Sequence, residues 1–582
     1  MYDNNFDICD MPLSMRSNRT RVEQFLAGNG LRLEDVDYYA AVTDEDGNII
    51  AGGGLKHDVI KCIAVGAAAR ETGLTNRLIS HLIAMATQQG VTTVKVYTKP
   101  ENRKVFESMG FSVIAAAPRA ILMENGVRGI GAYCDYLRRT RGDRPDGAAA
   151  IVMNANPFTL GHRYLVEQAA RQASTLYVIA VREDRGEFSY AERLAMIEAG
   201  CRGLGNVVVV EGSDYAVSEV TFPTYFLKQV TDATDTHITL DLDLFARHIA
   251  PALGVTTRCV GSEPVDQLTA RYNQLMLQQL PEQGIAVNTI ERLALEGDGQ
   301  AVSASRVRQA MQDGSLSRAA ALVPGTTIPA VIAHMAADAL RTELYTTPKP
   351  GLVDRNDNGA HSDMNVPLML ASIDALLPHF VKLAQCGNTD AETIRQIGID
   401  AERDMLQATA GVNTHRGALF ALGLTVHAAA MLMAIDGKVE QDRLRHAIMQ
   451  TAVRFTPTAG THGNDAVSAH HVAGALDLSK GGYEQLFGEW LPAYRMWRDS
   501  DKDTACHRLL LLVMSGLDDT NVIHRAGYDT AQRVKQEARA LLNAFSLQGL
   551  EQMNRDYTAL NISPGGAADM VALTIFICTI LN

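Results

Sequence analysis

Two short stretches carry residues suited to phosphate chemistry. The first, NANPFTLGH (154–162), contains Asn154, Asn156, Pro157, Phe158, Thr159, Gly161 and His162. Its glycine lets a nucleotide come close to the backbone. If a helix starts here, its free N–H groups and dipole favour a phosphate, and His162 on the first turn faces that phosphate. The second stretch, VSASRVR (302–308), offers the hydroxyls of Ser303 and Ser305 to phosphate oxygens. The Arg308 guanidinium can neutralise charge that builds on phosphorus.

Further along, four polar clusters interrupt apolar sequence. TTPKPGLVDR (346–355) with GAHSDM (359–364) concentrates Lys349, Asp354, Arg355, His361 and Asp363 on a rigid Pro- and Gly-bearing loop. GVNTHRG (411–417) supplies Asn413, His415 and Arg416 at a helix start. LDDTNVIHR (517–525) supplies Asp518, Asp519, Asn521 and Arg525; a helix over it puts 518, 521 and 525 on one face. SPGGAAD (563–569) is a glycine turn, through Gly565 and Gly566, into a last helix that carries Asp569. Adjacent carboxylates suit Mg²⁺, which brings substrate phosphates with it, so Asp363, Asp518, Asp519 and Asp569 are the expected metal ligands. Lys349, Arg355, Arg416 and Arg525 can hold a triphosphate. The plain alternative is helix capping, for which Asn413, Asp519 and Ser563 are well suited.

These residues need elements to position them. A strand over 148–153 and a helix over 160–173 place the first stretch at a strand-to-helix turn, where α/β sheets bind ligands. Further strands are expected at 176–181, 207–210 and 238–242, an order that argues for a parallel sheet. Before them, 38–43, 62–65 and 94–97 read as strands and 76–88 as a helix, with a turn at 46–48. After about 328 the alternation stops. Ala/Leu/Met segments at 363–385, 390–409, 415–435 and 505–517 argue for an all-α region. The fold class is therefore multidomain: α/β over 1–140, α/β over 148–325 and all-α over 328–582.

A chain of 582 residues is too long for one core. With 47% hydrophobic and 20% charged residues it is neither disordered nor a polytopic membrane protein. A net charge of -13 gives no broad basic face for nucleic acid. The polar N-terminus has no signal-peptide pattern, and the apolar run 571–581 is too short to cross a bilayer. Eight scattered cysteines without a C-x-x-C pair are expected as reduced thiols in the cytoplasm.

The two phosphate stretches resemble the T/H-x-G-H and I-S-x-S/T-x-x-R signatures of the nucleotidyltransferase superfamily, with Val302 in place of isoleucine. That resemblance implies a Rossmann-like fold, attack on an α-phosphate and loss of pyrophosphate. Positioning and charge stabilisation suffice for it. The longer string NANPFTLGHRYLVEQAA is similar to the citrate lyase ligase family, as are DLDLF (241–245), GSEP (261–264, with Glu263 on the nucleotide) and Tyr272-Asn273. That family adenylates acetate and acetylates the prosthetic-group thiol of the citrate lyase acyl carrier protein. GAAARETGLT (66–75), with Arg70 and Gly73, resembles the pyrophosphate loop of the N-acetyltransferase superfamily. FESMGF (106–111) resembles a later part of that fold. No general base stands out there, so a role in holding the carrier's thiol arm is expected.

From about 330 the strings PKPGLVDR, GAHSDM, NTHRG, DDTNVIHR and SPGGAADM resemble the triphosphoribosyl-dephospho-CoA synthase family. That resemblance implies transfer of triphosphoribosyl from ATP to the ribose 2′-hydroxyl of 3′-dephospho-CoA, with adenine released through an oxocarbenium-like state. An Asp or His among the clusters would act as base and acid. Alternatives stay open: an adenylyltransferase for a pantetheine-type molecule, a Mg-dependent nucleotide hydrolase, or one half as a binding module. The expected ligands are ATP, acetate, 3′-dephospho-CoA and Mg²⁺, with no nucleic acid and no membrane.

Overall fold

The computed structural model describes residues 7–69, 72–183, 186–215, 230–263, 266–294, 299–456 and 472–582. Arg70 lies outside them. Two compact units are present, Met1–Asn156 with Gly161–Ala301, and Pro157–Leu160 with Val302–Asn582.

The first unit holds two sheets. Seven strands, β1 (Ile8–Asp10), β2 (Tyr38–Thr43), β3 (Ile49–Lys56), β4 (Val59–Val65), β5 (Thr93–Thr98), β6 (Ser112–Ala116) and β7 (Ile121–Gly126), are ordered β1-β2-β3-β4-β5-β7-β6. Every pairing is antiparallel except β4–β5, which pairs only at Val59↔Lys95 and Ile60↔Val96. The expected turn is present: Gly47, at φ +81°, donates its N–H to the Asp44 carbonyl. The helix Leu74–Gln88 follows β4, with Gly73 at φ +78° before its first turn.

The second sheet has five parallel strands: β8 (Ala148–Met153), β9 (Leu176–Ala180), β10 (Val207–Glu211), β11 (Val255–Gly261) and β12 (Ala286–Ile290). Their order is β10-β9-β8-β11-β12, so the chain winds outward both ways from β8. The switch point lies at the carboxyl end of β8, where the first phosphate stretch begins. The strand expected at 238–242 is instead part of a helix, Val230–Leu244. Ile238, Leu240, Leu242 and Leu244 are all buried there. A helix buried on most sides has no amphipathic period, and its β-branched residues then imitate a strand. The fourth and fifth strands, β11 and β12, interrupt their apolar residues with Thr, Arg and Asn and were not foreseen.

One apolar core runs through both sheets' surroundings, joining Leu122, Ile130 and Leu137 to Tyr177, Phe245 and Val255. Polar contacts reinforce it: the Tyr215 hydroxyl donates to Glu124 (2.6 Å), and the Ala116 N–H donates to Asp243 (2.7 Å).

The second unit is helical. Its helices include Ile328–Tyr345, Val366–Gln385, Ala391–Ala408, Arg416–Asp436, Lys502–Gly516, Thr520–Ala526, Tyr528–Asn543, Leu547–Ala559 and Gly565–Ile580. Arg416–Asp436 and Gly565–Ile580 are buried nearly all round and pack against each other. Both helices open in polar motifs, and their first turns meet where Gly417 lies against Asp569. Val366–Gln385 and Arg416–Asp436 have the length and apolarity of a membrane span, but 78% of the second is buried within the protein, as in a core helix.

Candidate functional site

The first unit builds the end of β8 around a buried cation. Arg193 is 0% exposed. It donates to the carbonyls of Asn154 (2.7 Å), Val181 (3.0 Å), Phe188 (3.3 Å) and Glu183. One guanidinium thus ties the loops after β8 and β9 together. Asn156 Oδ1 accepts from the Phe188 N–H at 3.1 Å. Gly186 lies so close that an added Cβ would sit 1.9 Å from Asn156 Nδ2. His162 is half-buried on the helix Leu160–Ala170. Burial, with the Arg292 charge nearby, pulls its imidazole down to about 4. At neutral pH it is therefore a neutral ring that can donate one hydrogen bond and accept another. Glu263 pairs with Arg292 and accepts from the Asp266 N–H at 3.0 Å. Its carboxylate therefore holds the loop after β11.

Pro157–Leu160 and the second phosphate stretch belong to the second unit. The Phe158 carbonyl accepts from Thr327 Oγ1 at 3.0 Å, and the Leu160 N–H donates to the Leu322 carbonyl at 2.9 Å. Phe158 and Thr159 are buried. Ser303 caps the helix Ala304–Gln312 by accepting from the Arg306 N–H at 3.3 Å. Arg308 reaches back to Ser305 Oγ at 3.2 Å, which puts guanidinium and hydroxyl side by side one turn apart.

The helical unit gathers much of its polar sequence at one place. Lys349 and Glu343 are both buried and their Nζ and Oε1 are 2.5 Å apart. Asp354 accepts three backbone N–H groups, from Lys349 (2.9 Å), Asn356 (2.7 Å) and Asp357 (3.2 Å), and so shapes the Pro-rich loop. Gly351, at φ +67°, donates its N–H to Asn554 Oδ1 at 2.8 Å, where a Cβ would meet the Ile562 carbonyl at 2.0 Å. Asp519 caps Thr520–Ala526. It accepts from the N–H groups of Asn521 (2.9 Å) and Val522 (3.3 Å), and from Ala567 in the Gly565–Ile580 helix (2.8 Å). Gly417 lies against Asp569, since an added Cβ would be 2.1 Å from its Oδ2. Burial, then the neighbouring Asp519 and Glu343 carboxylates, hold the Asp569 carboxyl well above its ordinary range. Burial likewise raises Asp519. His361 Nε2 lies 2.7 Å from Ser563 Oγ, and burial, then the Arg525 charge, lower its pKa.

Three family models match in order: an acetyltransferase (GNAT) domain over 22–130, a citrate lyase ligase C-terminal domain over 148–330, and ATP:dephospho-CoA triphosphoribosyl transferase over 329–582. The citrate (pro-3S)-lyase ligase of Klebsiella pneumoniae is 40% identical over 320 residues, 54% of this chain and 93% of that protein. The 2-(5''-triphosphoribosyl)-3'-dephosphocoenzyme-A synthase of Pectobacterium atrosepticum is 37% identical over 256 residues, 41% of this chain and 85% of that protein. The chain belongs to the citrate lyase ligase family and, in its second half, to the triphosphoribosyl-dephospho-CoA synthase family. The first two domains are thus GNAT-like and nucleotidyltransferase-like, and the third is the helical synthase fold.

In the synthase half, some expected neighbours part company. The helix begins at Thr520, so Asp518 does not share a face with Asn521 and Arg525. Asp518 instead bonds Lys535 and, at 3.3 Å, Gln532. Asn521 packs against Gly565, whose Cβ would be 2.8 Å from Asn521 Nδ2. Arg525 donates to the Ala360 carbonyl and to Asn561 Oδ1, both at 2.9 Å, beside His361. Ser563 is no N-cap, because Pro564 holds that position and the Ser563 hydroxyl faces His361. Asn413 Oδ1 accepts from the Arg416 N–H at 3.2 Å, while Arg416 pairs with Glu402. Arg355 stacks over the Tyr345 ring at 4.4 Å. Asp363, on the exposed side of the loop, is 3.8 Å from His361. Asp363, Asp518, Asp519 and Asp569 do not form a ready cage: among the described residues no three His, Cys, Asp or Glu side chains gather for a metal.

Four residues of these sites escaped sequence reasoning. Arg193 and Glu343 sit inside helices that look ordinary, and a lone charge in such a helix usually faces solvent. Asn554 contacts the Pro-rich loop from 203 residues away in sequence. Tyr483 is buried and its pKa is raised by burial, then by the Asp569 charge.

Proposed function

We infer that this chain matures citrate lyase by two reactions. The first half activates acetate with ATP, releasing pyrophosphate, and passes the acetyl group from acetyl-adenylate to the prosthetic-group thiol of the acyl carrier protein, releasing AMP. The second half transfers triphosphoribosyl from ATP to 3′-dephospho-CoA and releases adenine. The observation that carries this reading is the tandem coverage: adjoining halves span 93% of a ligase and 85% of a synthase. In the first reaction the acetate oxygen attacks the α-phosphorus and the bond to pyrophosphate breaks. Neutral His162, the Asn154–Asn156 turn and the Ser305–Arg308 pair are the groups proposed to position and stabilise it. In the second, Arg355 and Arg525 are proposed to hold the triphosphate, with Lys349 kept in its ion pair.

For Mg²⁺, Asp569 is the one expected ligand proposed to hold the ion, because Asp519 gives both oxygens to backbone N–H groups and Asp518 is bonded to Lys535 and Gln532; phosphate oxygens would supply most of the donors. The ion would offset the triphosphate charge. We place both reactions in the cytoplasm, a reducing compartment that suits eight free cysteines. The boundaries 1–140, 148–325 and 328–582 are proposed as three domains, although the first two share a core. The GNAT-like domain is proposed to hold the carrier's thiol arm. Because of the shared core, the sound test is Thr75→Glu on the first turn of Leu74–Gln88 rather than a deletion. It should slow acetyl transfer to the carrier and leave acetyl-adenylate formation unchanged.

The test of the whole reading is direct. The pure chain should catalyse acetate-dependent exchange between ATP and pyrophosphate. It should also release adenine from ATP only when 3′-dephospho-CoA is present. Exchange without acetate, or adenine release without dephospho-CoA, would point to the simpler adenylyltransferase or hydrolase.

A further inference from the structure

His415 precedes the central helix Arg416–Asp436, and its ring is buried. Its Nδ1 lies 2.7 Å from Ser372 Oγ. Ser372 Oγ in turn accepts the Thr414 hydroxyl proton at 2.7 Å. Ser372 is fully buried, so its own hydrogen must go to an acceptor, and among the described residues His415 Nδ1 is the acceptor at hydrogen-bond distance. Nδ1 therefore accepts, and the ring proton sits on Nε2. Burial, then the Lys349 charge, lower the ring's pKa to about 3, so it stays neutral at any working pH.

Nε2–H is buried and has no acceptor among the described residues. An orphan donor in a dry place costs about 1–3 kcal/mol unless something bonds it. The Tyr483 hydroxyl, also buried and without a partner among the described residues, lies in the field of Asp569. The nearby cation does not leave the locality positive, because Lys349 is matched by Glu343. A neutral donor among matched charges suits an uncharged heteroaromatic ring. The exposed Arg355 and Arg525 suit the phosphates.

We propose that His415 donates a hydrogen bond from Nε2 to a ring nitrogen of the departing adenine. The inference rests on the transferase reading above. The C1′–N9 bond of ATP breaks and its electron pair leaves with the purine. A bond forms from C1′ to the 2′-oxygen of dephospho-CoA, whose proton ends on adenine. His415 keeps its own proton and stabilises the negative charge growing on the base, as a neutral imidazole can.

The experiment uses the full chain with 3′-dephospho-CoA and ATP, 3-deaza-ATP or 7-deaza-ATP, and measures kcat for base release. One deaza analogue should slow the native chain about 10- to 100-fold, the range for a hydrogen bond to a charged acceptor. His415→Ala should slow ATP by a similar factor, and that analogue should slow the variant no further. Ser372→Ala should lower kcat with the KM for ATP unchanged. The ¹⁵N spectrum of the full chain, with His415 assigned by difference from His415→Gln, should show a neutral ring protonated at Nε2. An Nδ1-protonated ring, a full analogue penalty in His415→Ala, or a native chain indifferent to both analogues would overturn the proposal. A native chain that releases no adenine from ATP would instead sink the transferase reading.

Discussion

Asp519 is the residue whose structural role departs furthest from the chemistry its motif suggests. As one of two adjacent aspartates it looks like a metal ligand. In the fold both its oxygens accept backbone N–H groups, at 2.8, 2.9 and 3.3 Å, from the first turns of two helices. It clamps Thr520–Ala526 to Gly565–Ile580. Replacing it with alanine removes two helix caps at once, each worth about 1–2 kcal/mol when the freed N–H groups are buried. Relief of its repulsion with Asp569 offsets part of this, so a net loss of about 1–3 kcal/mol is expected. At roughly 2–4 °C per kcal/mol for a unit of this size, the helical transition should fall by about 2–12 °C. The assay is calorimetry of the full chain in Mg²⁺-free buffer, following the later-unfolding and earlier-unfolding transitions separately. A clamp predicts the drop without any metal present. A pure metal ligand predicts an unchanged Tm without Mg²⁺ and loss only of the increment that Mg²⁺ adds. The second pattern would refute the clamp.

Three further outcomes follow from the same contacts. Glu343→Ala leaves the Lys349 ammonium buried without its partner and should cost about 3–5 kcal/mol in denaturant unfolding, whereas Glu343→Leu with Lys349→Met should cost much less. Asp569 has a folded pKa raised well above 3.8, so it contributes stability below the ordinary carboxylate range and loses it as pH rises through the folded pKa. Asp569→Asn should therefore flatten the fall in Tm with rising pH above 4 in Mg²⁺-free buffer; an unchanged slope would refute the shift. His162→Ala should lower acetate-dependent pyrophosphate exchange about 100-fold with adenine release intact, and the native exchange rate should show no inflection near pH 6.5, because His162 titrates at about 4.

Sequence showed most clearly the features that repeat or break a pattern. The strand Ala148–Met153 and the strand-to-helix turn after it were legible because an apolar run ends abruptly in Asn, Pro and Gly. The bundle helices were legible from long Ala/Leu/Met runs. The helix Val230–Leu244 was not, since burial on most sides erased its period. Strand β11 places Arg258, 4% exposed, over the Phe245 ring at 4.3 Å, a pairing invisible before the fold is known. The candidate sites divided in the same way. Motif residues were found because Gly, Pro, His and Asp stand out against apolar neighbours. Their roles were not, because a role depends on partners such as Glu343, Asn554 and Ser372 that lie in other elements.

The charge of the chain acquires a local meaning from those partners. A total of -13 looks ill-suited to anionic substrates. The structure resolves this by sorting its cations. Lys349, Arg292 and Arg416 are each paired with a glutamate, and Arg193 is surrounded by carbonyls. These guanidinium and ammonium groups organise loops, and an anion would have to displace a carboxylate to use them. Arg525 is held by a carbonyl and an amide, and Arg355 by an aromatic face. Neutral partners orient a guanidinium and leave its charge available, so these two can receive a triphosphate at little rearrangement. Arg308 lies 3.2 Å from Ser305 Oγ in the other phosphate stretch. An acidic chain can therefore bind anions where its positive groups are oriented by neutral neighbours, and the paired ones serve the architecture that holds them there.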